Sequence, residues 1–145
     1  MTKEELKEHC NIEFQSLEKT VSELSSVLKP DKSEYAVAEQ AAIATFILNA
    51  YGGFENILRH ILMFDGLDIK DSPEWHEKLL KKTAELAILP RELVQILSKY
   101  LSFRNLLIYS YIFNINPEEL NVLAEAMKDV LAKFKPEVDE YIQTI

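Results

Sequence analysis

Ala36-Val-Ala-Glu-Gln-Ala-Ala-Ile-Ala-Thr-Phe-Ile-Leu-Asn-Ala50 is the stretch that decides the fold of this 145-residue chain. It is apolar nearly all round and rich in alanine, the best helix former, so it predicts a central helix that continues toward Met63. Its small side chains permit a neighbouring helix to approach closely, either within one molecule or across a two-fold axis. The sequence alone leaves both possibilities open.

Four further segments around this central helix also have helical periodicity. Apolar residues recur at intervals of three and four, and the chain has only three glycines and five prolines. We expect helices from about Glu4 to Leu28, from Ser72-Pro73 to a point before Pro90, from Pro90 to about Tyr111, and from Asn116-Pro117 onward. The predicted fold class is all-α, a four- to five-helix up-and-down bundle that forms a single domain over residues 1–145.

Several residues predict where these helices begin, bend or end. Asp31 and Ser33 are both suitable N-caps for the central helix. Two adjacent glycines, Gly52-Gly53, fall inside that helix and predict a kink or the very close approach of a neighbour. Pro136 is expected to kink or end the last helix.

Composition and charge restrict the function classes. The single cysteine, Cys10, excludes an intramolecular disulfide, and the three histidines show no zinc spacing, so we expect no metal and no cofactor. The charged N-terminus and short apolar runs predict no signal peptide and no membrane span, hence a cytoplasmic protein. A net charge of -8 argues against wide coating of nucleic acid, so any RNA contact must be local.

The residues most suggestive of chemistry follow one another in Arg104-Asn105-Leu-Leu-Ile-Tyr109-Ser-Tyr111. On a helix, Tyr100, Arg104 and Tyr111 would share one face, while Asn105 and Tyr109 would lie on a second stripe. Arg104 and Tyr109 diverge by about 140° around the axis, too far to hold one small group together. We therefore expect a site shared between two copies of the chain.

This stretch resembles the Arg-x4-His-x-Tyr signature of the HEPN superfamily, in particular the HepT-like toxins of two-gene toxin–antitoxin modules. Tyr35 and the segment from Tyr51 to His60 resemble the second helix of such chains. The resemblance implies a helical bundle, a homodimer with the motif in its cleft, and metal-independent RNA cleavage. It also implies a minimal nucleotidyltransferase as antitoxin partner, for which Tyr111 would be the residue modified by adenylylation. The alternative for Tyr111 is that it simply closes the end of the bundle.

The histidine position of the signature holds Tyr109, and this substitution predicts weak or absent cleavage. The reaction needs a base that titrates near neutrality, and a phenol has a pKa of about 10. Asn49, Asn56 and His60 form a polar strip along the central helix, and the candidate binding residues are Asn49, Asn56 and, on the fourth helix, Tyr100. If the strip faces the motif, His60 is a possible substitute base near Arg104; the alternative is a histidine that is merely hydrogen-bonded.

Two functions from different classes remain open at this point. The first is a HepT-like toxin component that binds RNA through Arg104 and cleaves it. The second is a non-catalytic dimeric HEPN module that binds or presents a substrate to a partner nucleotidyltransferase. Glu55 and Arg59, four residues apart, are expected to form an ordinary surface ion pair.

Overall fold

The computed structural model describes residues 1–29, 34–69 and 72–145, and these residues form five α-helices and one short 3₁₀ helix. The α-helices are α1 (Lys3–Val27), α2 (Val37–Phe64), α3 (Trp75–Glu85), α4 (Arg91–Tyr109) and α5 (Pro117–Thr144). The 3₁₀ helix, Ile112–Asn114, connects α4 to α5. The predicted all-α bundle is confirmed.

Helix α1 is amphipathic and is capped at its start by a side chain. The hydroxyl of Thr2 accepts a hydrogen bond from the backbone N–H of Glu5 at 3.1 Å, which satisfies one of the free donors of the first turn. The apolar stripe is buried along the helix, from Leu6, Cys10 and Phe14 to Leu17, Val21 and Leu24. Burial raises the pKa of the Cys10 thiol to about 11, so it is an unreactive core side chain.

Helix α2 passes through Gly52-Gly53 without a break. A Cβ atom at Gly53 would lie 2.6 Å from Cδ2 of Leu17, whereas a Cβ at Gly52 would meet nothing within 4 Å. The predicted close approach is therefore made by α1 and is made at Gly53. The proposed N-caps Asp31 and Ser33 lie outside the described residues, and the N-cap is Ala36, whose N–H donates to the Glu39 carboxylate at 2.9 Å.

Helices α3 and α4 form a hairpin joined by residues 86–90. Ala87 in this turn has a φ of 55°, a left-handed conformation that ends the chain's helical path. The short connection makes the two helices neighbours, so the start of α3 lies beside the second half of α4.

Helix α5 begins at the predicted cap, where the Asn116 side chain accepts a hydrogen bond from the N–H of Glu118 at 2.9 Å. Pro136 was expected to kink or end this helix; it does not end it, because α5 continues to Thr144. Pro136 is exposed, so its ring and its missing N–H face solvent instead of disturbing the core.

The core lies mainly between α1, α2 and α5, with the α3–α4 hairpin packed on another side of α2. Phe14, Phe54 and Phe134 meet at its centre, and the rings of Phe54 and Phe134 are 4.6 Å apart between centroids. Ala44 and Ala50 are buried within the protomer, so this part of the alanine-rich run packs inside one bundle. In the part of the chain that the structure describes, every helix is too short or too polar to cross a membrane.

Candidate functional site

Arg104 and Asn105 lie in the last turns of α4, at the edge of its buried face. The buried residues of α4 end at Phe103, so the next two side chains are only partly covered. Nη1 of Arg104 donates a hydrogen bond to the amide oxygen of Asn105 at 3.1 Å. Among the described residues Arg104 forms no ion pair, so its charge is available to a ligand.

Tyr109 and Tyr111 are on the surface beyond this edge. Tyr109 is the last residue of α4 and is 88% exposed, while Tyr111 is 72% exposed. The helix was expected to reach Tyr111, but Ser110 adopts extended backbone and α4 ends before it. Tyr111 is therefore not placed on the face of Arg104 by helical spacing, and its ring stacks parallel on Phe113 at 5.4 Å between centroids.

Tyr100 lies in the core and offers no surface to a ligand. Its side chain is buried, and its hydroxyl donates to the carbonyl oxygen of Leu123 in α5 at 2.7 Å. Burial raises the pKa of this phenol, so it remains protonated. Its role in this structure is to join α4 to α5.

A cluster of buried polar side chains lies where α2 meets α3 and α4. Nδ1 of His76 lies 2.7 Å from Oε2 of Glu55, and both side chains are largely buried. The hydroxyl of Tyr51 is buried and has no hydrogen-bond partner of normal geometry among the described residues. We call Tyr51, Glu55 and His76 the Glu55 cluster.

The pKa of Tyr51 indicates which charges surround its hydroxyl. It is raised first by burial and next by the nearby Glu55 carboxylate, while the guanidinium of Arg104 lowers it. The phenol lies near the carboxylate, yet no hydrogen bond of normal geometry joins them. Tyr51 is therefore a buried phenol that keeps its proton.

The polar strip on α2 faces α1. The Asn56 amide donates to the Glu13 carboxylate at 2.7 Å, and the His60 ring stacks on His9 with centroids 3.5 Å apart. Nδ1 of His60 also lies 2.8 Å from the backbone carbonyl oxygen of Asn56. His60 could act beside Arg104 only if the strip faced α4. Within the protomer the strip faces α1, so this condition is not met.

The asparagines of the strip border a groove between α1 and α2. The groove has a volume of about 250 Å³, and its walls include Glu13, Asn49, Asn56, Arg59 and the ring of Trp75. Asn49 and Asn56 are thus brought together, but in a place separate from the motif arginine. Glu55 lines the far side of the same groove.

The ion pairs around this groove differ from the sequence expectation. Glu55 was expected to pair with Arg59 on the surface, but it is buried and binds His76. Arg59 instead approaches Asp68 at 3.8 Å, and its Nε is buried with no hydrogen-bond partner in the part of the chain that the structure describes. The i,i+4 spacing was compatible with a pair, but helix α3 supplies a better partner for the carboxylate.

Sequence reasoning missed Tyr51, Glu55 and His76 as site residues. One signal was present, because Tyr51 and Glu55 are four apart and so share a face of a largely apolar helix. The sequence around His76 gave no indication of its contact with Glu55, since that contact depends on the packing of α3 against α2. Over residues 1–29, 34–69 and 72–145, no three His, Cys, Asp or Glu side chains come together in a way that could hold a metal ion.

Comparisons with known proteins identify the family. A family model described as HepT-like protein matches residues 42–145, which takes in most of α2 and all of α3, α4 and α5. The comparisons with curated proteins and with solved structures gave no match. The match covers well over half of the chain and includes the segment from Arg104 to Tyr111. The chain belongs to the HepT-like proteins of the HEPN superfamily.

Proposed function

We propose that this chain, acting as one domain in the cytoplasm, is the HepT-like component of a toxin–antitoxin module. It binds RNA in a cleft between two copies of the chain and cleaves it without a metal, at a rate lowered by Tyr109. The observation that carries this proposal is the state of Arg104, which is partly exposed and has no carboxylate partner among the described residues. An unpaired guanidinium at a surface edge is suited to bind a phosphate.

A homodimer is supported by the apolar surface next to Arg104. Five large apolar side chains are exposed between residues 106 and 113, and we call them the α4-end patch: Leu106, Ile108, Tyr109, Tyr111 and Phe113. Exposed apolar side chains concentrated in one part of a chain often belong to an interaction surface. A two-fold contact through this patch would bring two copies of Arg104 to one cleft.

The weakness of cleavage follows from the chemistry at position 109. Transfer of a phosphoryl group to the 2′-hydroxyl requires that hydroxyl to lose its proton while charge develops on the phosphate. Phenols hold their protons at neutral pH, so Tyr109 is a poor acceptor. Arg104 still supplies the cation.

The test is an RNA binding and cleavage assay in chelator with three variants. Arg104→Ala is expected to weaken RNA binding by about ten- to a hundredfold, the effect of losing charge-assisted hydrogen bonds to a phosphate. Tyr109→His is expected to raise the cleavage rate by about tenfold or more, because it adds an imidazole. Arg91→Ala removes an exposed arginine at the other end of the same helix and is expected to change neither quantity.

The proposal fails if Arg104→Ala and Arg91→Ala bind RNA as tightly as the wild type. It also fails in part if sedimentation shows a monomer at all concentrations, because the cleft would not exist. A double substitution in the α4-end patch, Ile108→Asp with Phe113→Asp, is expected to dissociate the dimer.

A second candidate function is a non-catalytic module that serves a partner nucleotidyltransferase. Tyr111 favours it, because the residue lies outside α4, is exposed, and has its ring held in place by Phe113. We expect the partner enzyme with ATP to add one adenylyl group to the wild type and none to Tyr111→Phe, as measured by mass spectrometry. Tyr109→Phe is the matched control, and modification that survives in Tyr111→Phe would contradict this assignment.

A further inference from the structure

The groove between α1 and α2 contains polar groups that the proposed cleft between two copies does not use. It has a volume of about 250 Å³, and α1, α2 and the first residue of α3 all contribute to its walls. Pockets for drug-sized molecules measure about 300–1,000 Å³, so this groove suits a smaller ligand, of the size of one nucleobase. Arg104 is not among the described residues that line it.

Arg59 lines the groove and has a donor that no described residue accepts. Its side chain is 21% exposed, and its Nε is buried with no hydrogen-bond partner in residues 1–29, 34–69 and 72–145. Its Nη2 lies 3.8 Å from Oδ1 of Asp68, which is longer than a hydrogen bond. A buried donor in this state is stabilised when a ligand brings an acceptor atom.

Two carboxylates in the same walls can only accept hydrogen bonds. Glu55 is 5% exposed, and its Oε2 lies 2.7 Å from Nδ1 of His76. Glu13 accepts a hydrogen bond from the Asn56 amide at 2.7 Å. A carboxylate has two oxygens and about four acceptor positions, so these contacts leave capacity for the N–H donors of a ligand. The groove therefore offers both acceptors and a guanidinium donor.

Gly52 leaves space for a flat ligand in the wall of the groove. A Cβ atom at this position would meet nothing within 4 Å, whereas the space at Gly53 is filled by Leu17. A ligand can thus approach the backbone of α2 at Gly52 closely. The ring of Trp75 is also part of the wall, and aromatic rings favour flat ligands because bases stack on them.

These groups select among classes of ligand. A phosphate is repelled by the carboxylates of Glu13 and Glu55, and a metal cation is repelled by the guanidinium of Arg59. A neutral flat ring with N–H donors on one edge and acceptors on another suits both kinds of group. Guanine has this pattern, with N1–H and the N2 amino group on one edge and O6 and N7 on the next. Arginine is the commonest partner of O6 and N7, and carboxylates accept from the amino groups of bases.

We propose that the groove between α1 and α2 binds a single guanine base. The carboxylates of Glu13 and Glu55 accept from N1–H and the N2 amino group, and Arg59 donates to O6 or N7. Adenine is rejected, because its N1 is an acceptor and would face a carboxylate. This binding is additional to the proposed function, since the groove is a site separate from Arg104. The base belongs either to an RNA or to a free guanine nucleoside, and its recognition is the same in both cases.

Isothermal titration calorimetry with guanosine, adenosine and inosine tests the recognition of the base. Guanosine is expected to bind with a Kd of about 0.1–1 mM, which is typical of a small ligand with few contacts. Adenosine is expected to bind at least about tenfold more weakly than guanosine. Inosine, which lacks only the N2 amino group, is expected to bind about three- to tenfold more weakly. Equal affinities for guanosine and adenosine overturn the proposal.

Substitutions in the wall test the location. Gly52→Leu places a side chain in the open space of the groove, so it is expected to weaken guanosine binding by more than about tenfold while the bundle still folds. Arg59→Gln is expected to weaken it by about tenfold, through loss of the contacts to O6 and N7. Thr45→Leu is the matched control, because it adds the same side chain to exposed surface of α2 outside the groove.

Thermal melting establishes that each variant is folded, since a folded variant unfolds in one cooperative transition. Thr45→Leu is expected to bind guanosine as the wild type does. If Gly52→Leu binds guanosine as tightly as Thr45→Leu, the base lies elsewhere and the proposal is overturned.

Two RNA oligonucleotides distinguish the sources of the base. Hexauridylate is compared with the same hexamer carrying one central guanosine, by fluorescence anisotropy of end-labelled RNA. If RNA supplies the base, the guanosine-containing hexamer binds about tenfold more tightly and Gly52→Leu removes the difference. If a free nucleoside is the ligand, the hexamers bind alike and guanosine alone is bound. If guanosine is not bound and the hexamers bind alike, the proposal is overturned.

Arg104→Ala separates this inference from the proposed function. It is expected to weaken both hexamers by the same factor and to leave guanosine binding unchanged. Loss of guanosine binding in Arg104→Ala overturns the assignment of the base to the groove. If Arg104→Ala instead binds the hexamers as the wild type does while guanosine binding depends on Gly52, the proposed function fails and this inference stands.

Discussion

The two interfaces of α2 are built in different ways. Where α2 packs on α1 and α5, the centre is made of the aromatic rings of Phe14, Phe54 and Phe134. Where α2 packs on α3 and α4, the interface contains the buried carboxylate of Glu55 and the phenol of Tyr51.

The two interfaces therefore contribute differently to the free energy of unfolding. Burial of apolar rings is favourable and adds up with area, whereas a buried polar atom without a partner costs about 1–3 kcal/mol. Among the described residues the hydroxyl of Tyr51 has no such partner, although that of Tyr100, on α4, has one. The buried hydroxyl of Tyr51 thus lowers the stability of the interface between α2 and the α3–α4 hairpin.

The largest effect is expected in the aromatic core. Phe134→Ala removes a fully buried ring that contacts both other phenylalanines, and we expect it to lower the free energy of unfolding by about 3–5 kcal/mol. The measurement is chemical denaturation followed by circular dichroism. Ile12→Ala, which truncates an exposed side chain of α1, is the control and is expected to change stability by less than about 0.5 kcal/mol. Equal losses in the two variants would contradict the location of the core.

An intermediate effect is expected from the paired glycines. Gly53→Ala gains about 1 kcal/mol of helix propensity but forces Leu17 aside, and overpacking costs about 1–3 kcal/mol. Gly52→Ala gains the same propensity with open space around it. We expect Gly52→Ala to be the more stable of the two by about 1–3 kcal/mol, as measured by their unfolding free energies. If the order is reversed, α1 does not approach α2 at Gly53.

The smallest effect should distinguish the two buried tyrosines. Tyr100→Phe removes a hydrogen bond to Leu123 and is expected to cost about 1 kcal/mol. Tyr51→Phe removes a hydroxyl that has no partner, so we expect it to leave stability unchanged or to raise it by about 1 kcal/mol. Thermal melting of both variants measures the difference. A marked loss in Tyr51→Phe would indicate that its hydroxyl is satisfied after all.

Most of the fold could be predicted from the sequence because its causes are local. The apolar stripe from Leu6 to Leu24 and the cap at Asn116 each depend on residues within a few positions of one another. The close approach at Gly53 was predicted for the same reason, since only glycine gives a neighbour that space. The local sequence did not show that α5 continues past Pro136. The effect of a proline on a helix depends on whether it faces solvent or the core, and this depends on the tertiary packing.

The candidate site could be predicted only in part. Arg104 and its neighbours stand out in the sequence, and their assignment to a site stays a prediction. Glu55 and His76 are 21 positions apart and meet through the packing of α3 on α2. No short-range spacing in the sequence therefore predicts their pairing. The position of Tyr111 depended on where α4 ends, and helix ends are the least predictable feature of a periodic sequence.

The stacking of Trp75 on His76 gives this protein a built-in optical reporter. The chain has a single tryptophan, and its ring lies 3.7 Å from the imidazole between centroids, at 29° between planes. The indole emission depends on what lies against the ring face, and here that is the side chain of His76. The fluorescence of the wild type should therefore report directly on any change in the packing of α3 against α2, in the absence of any RNA.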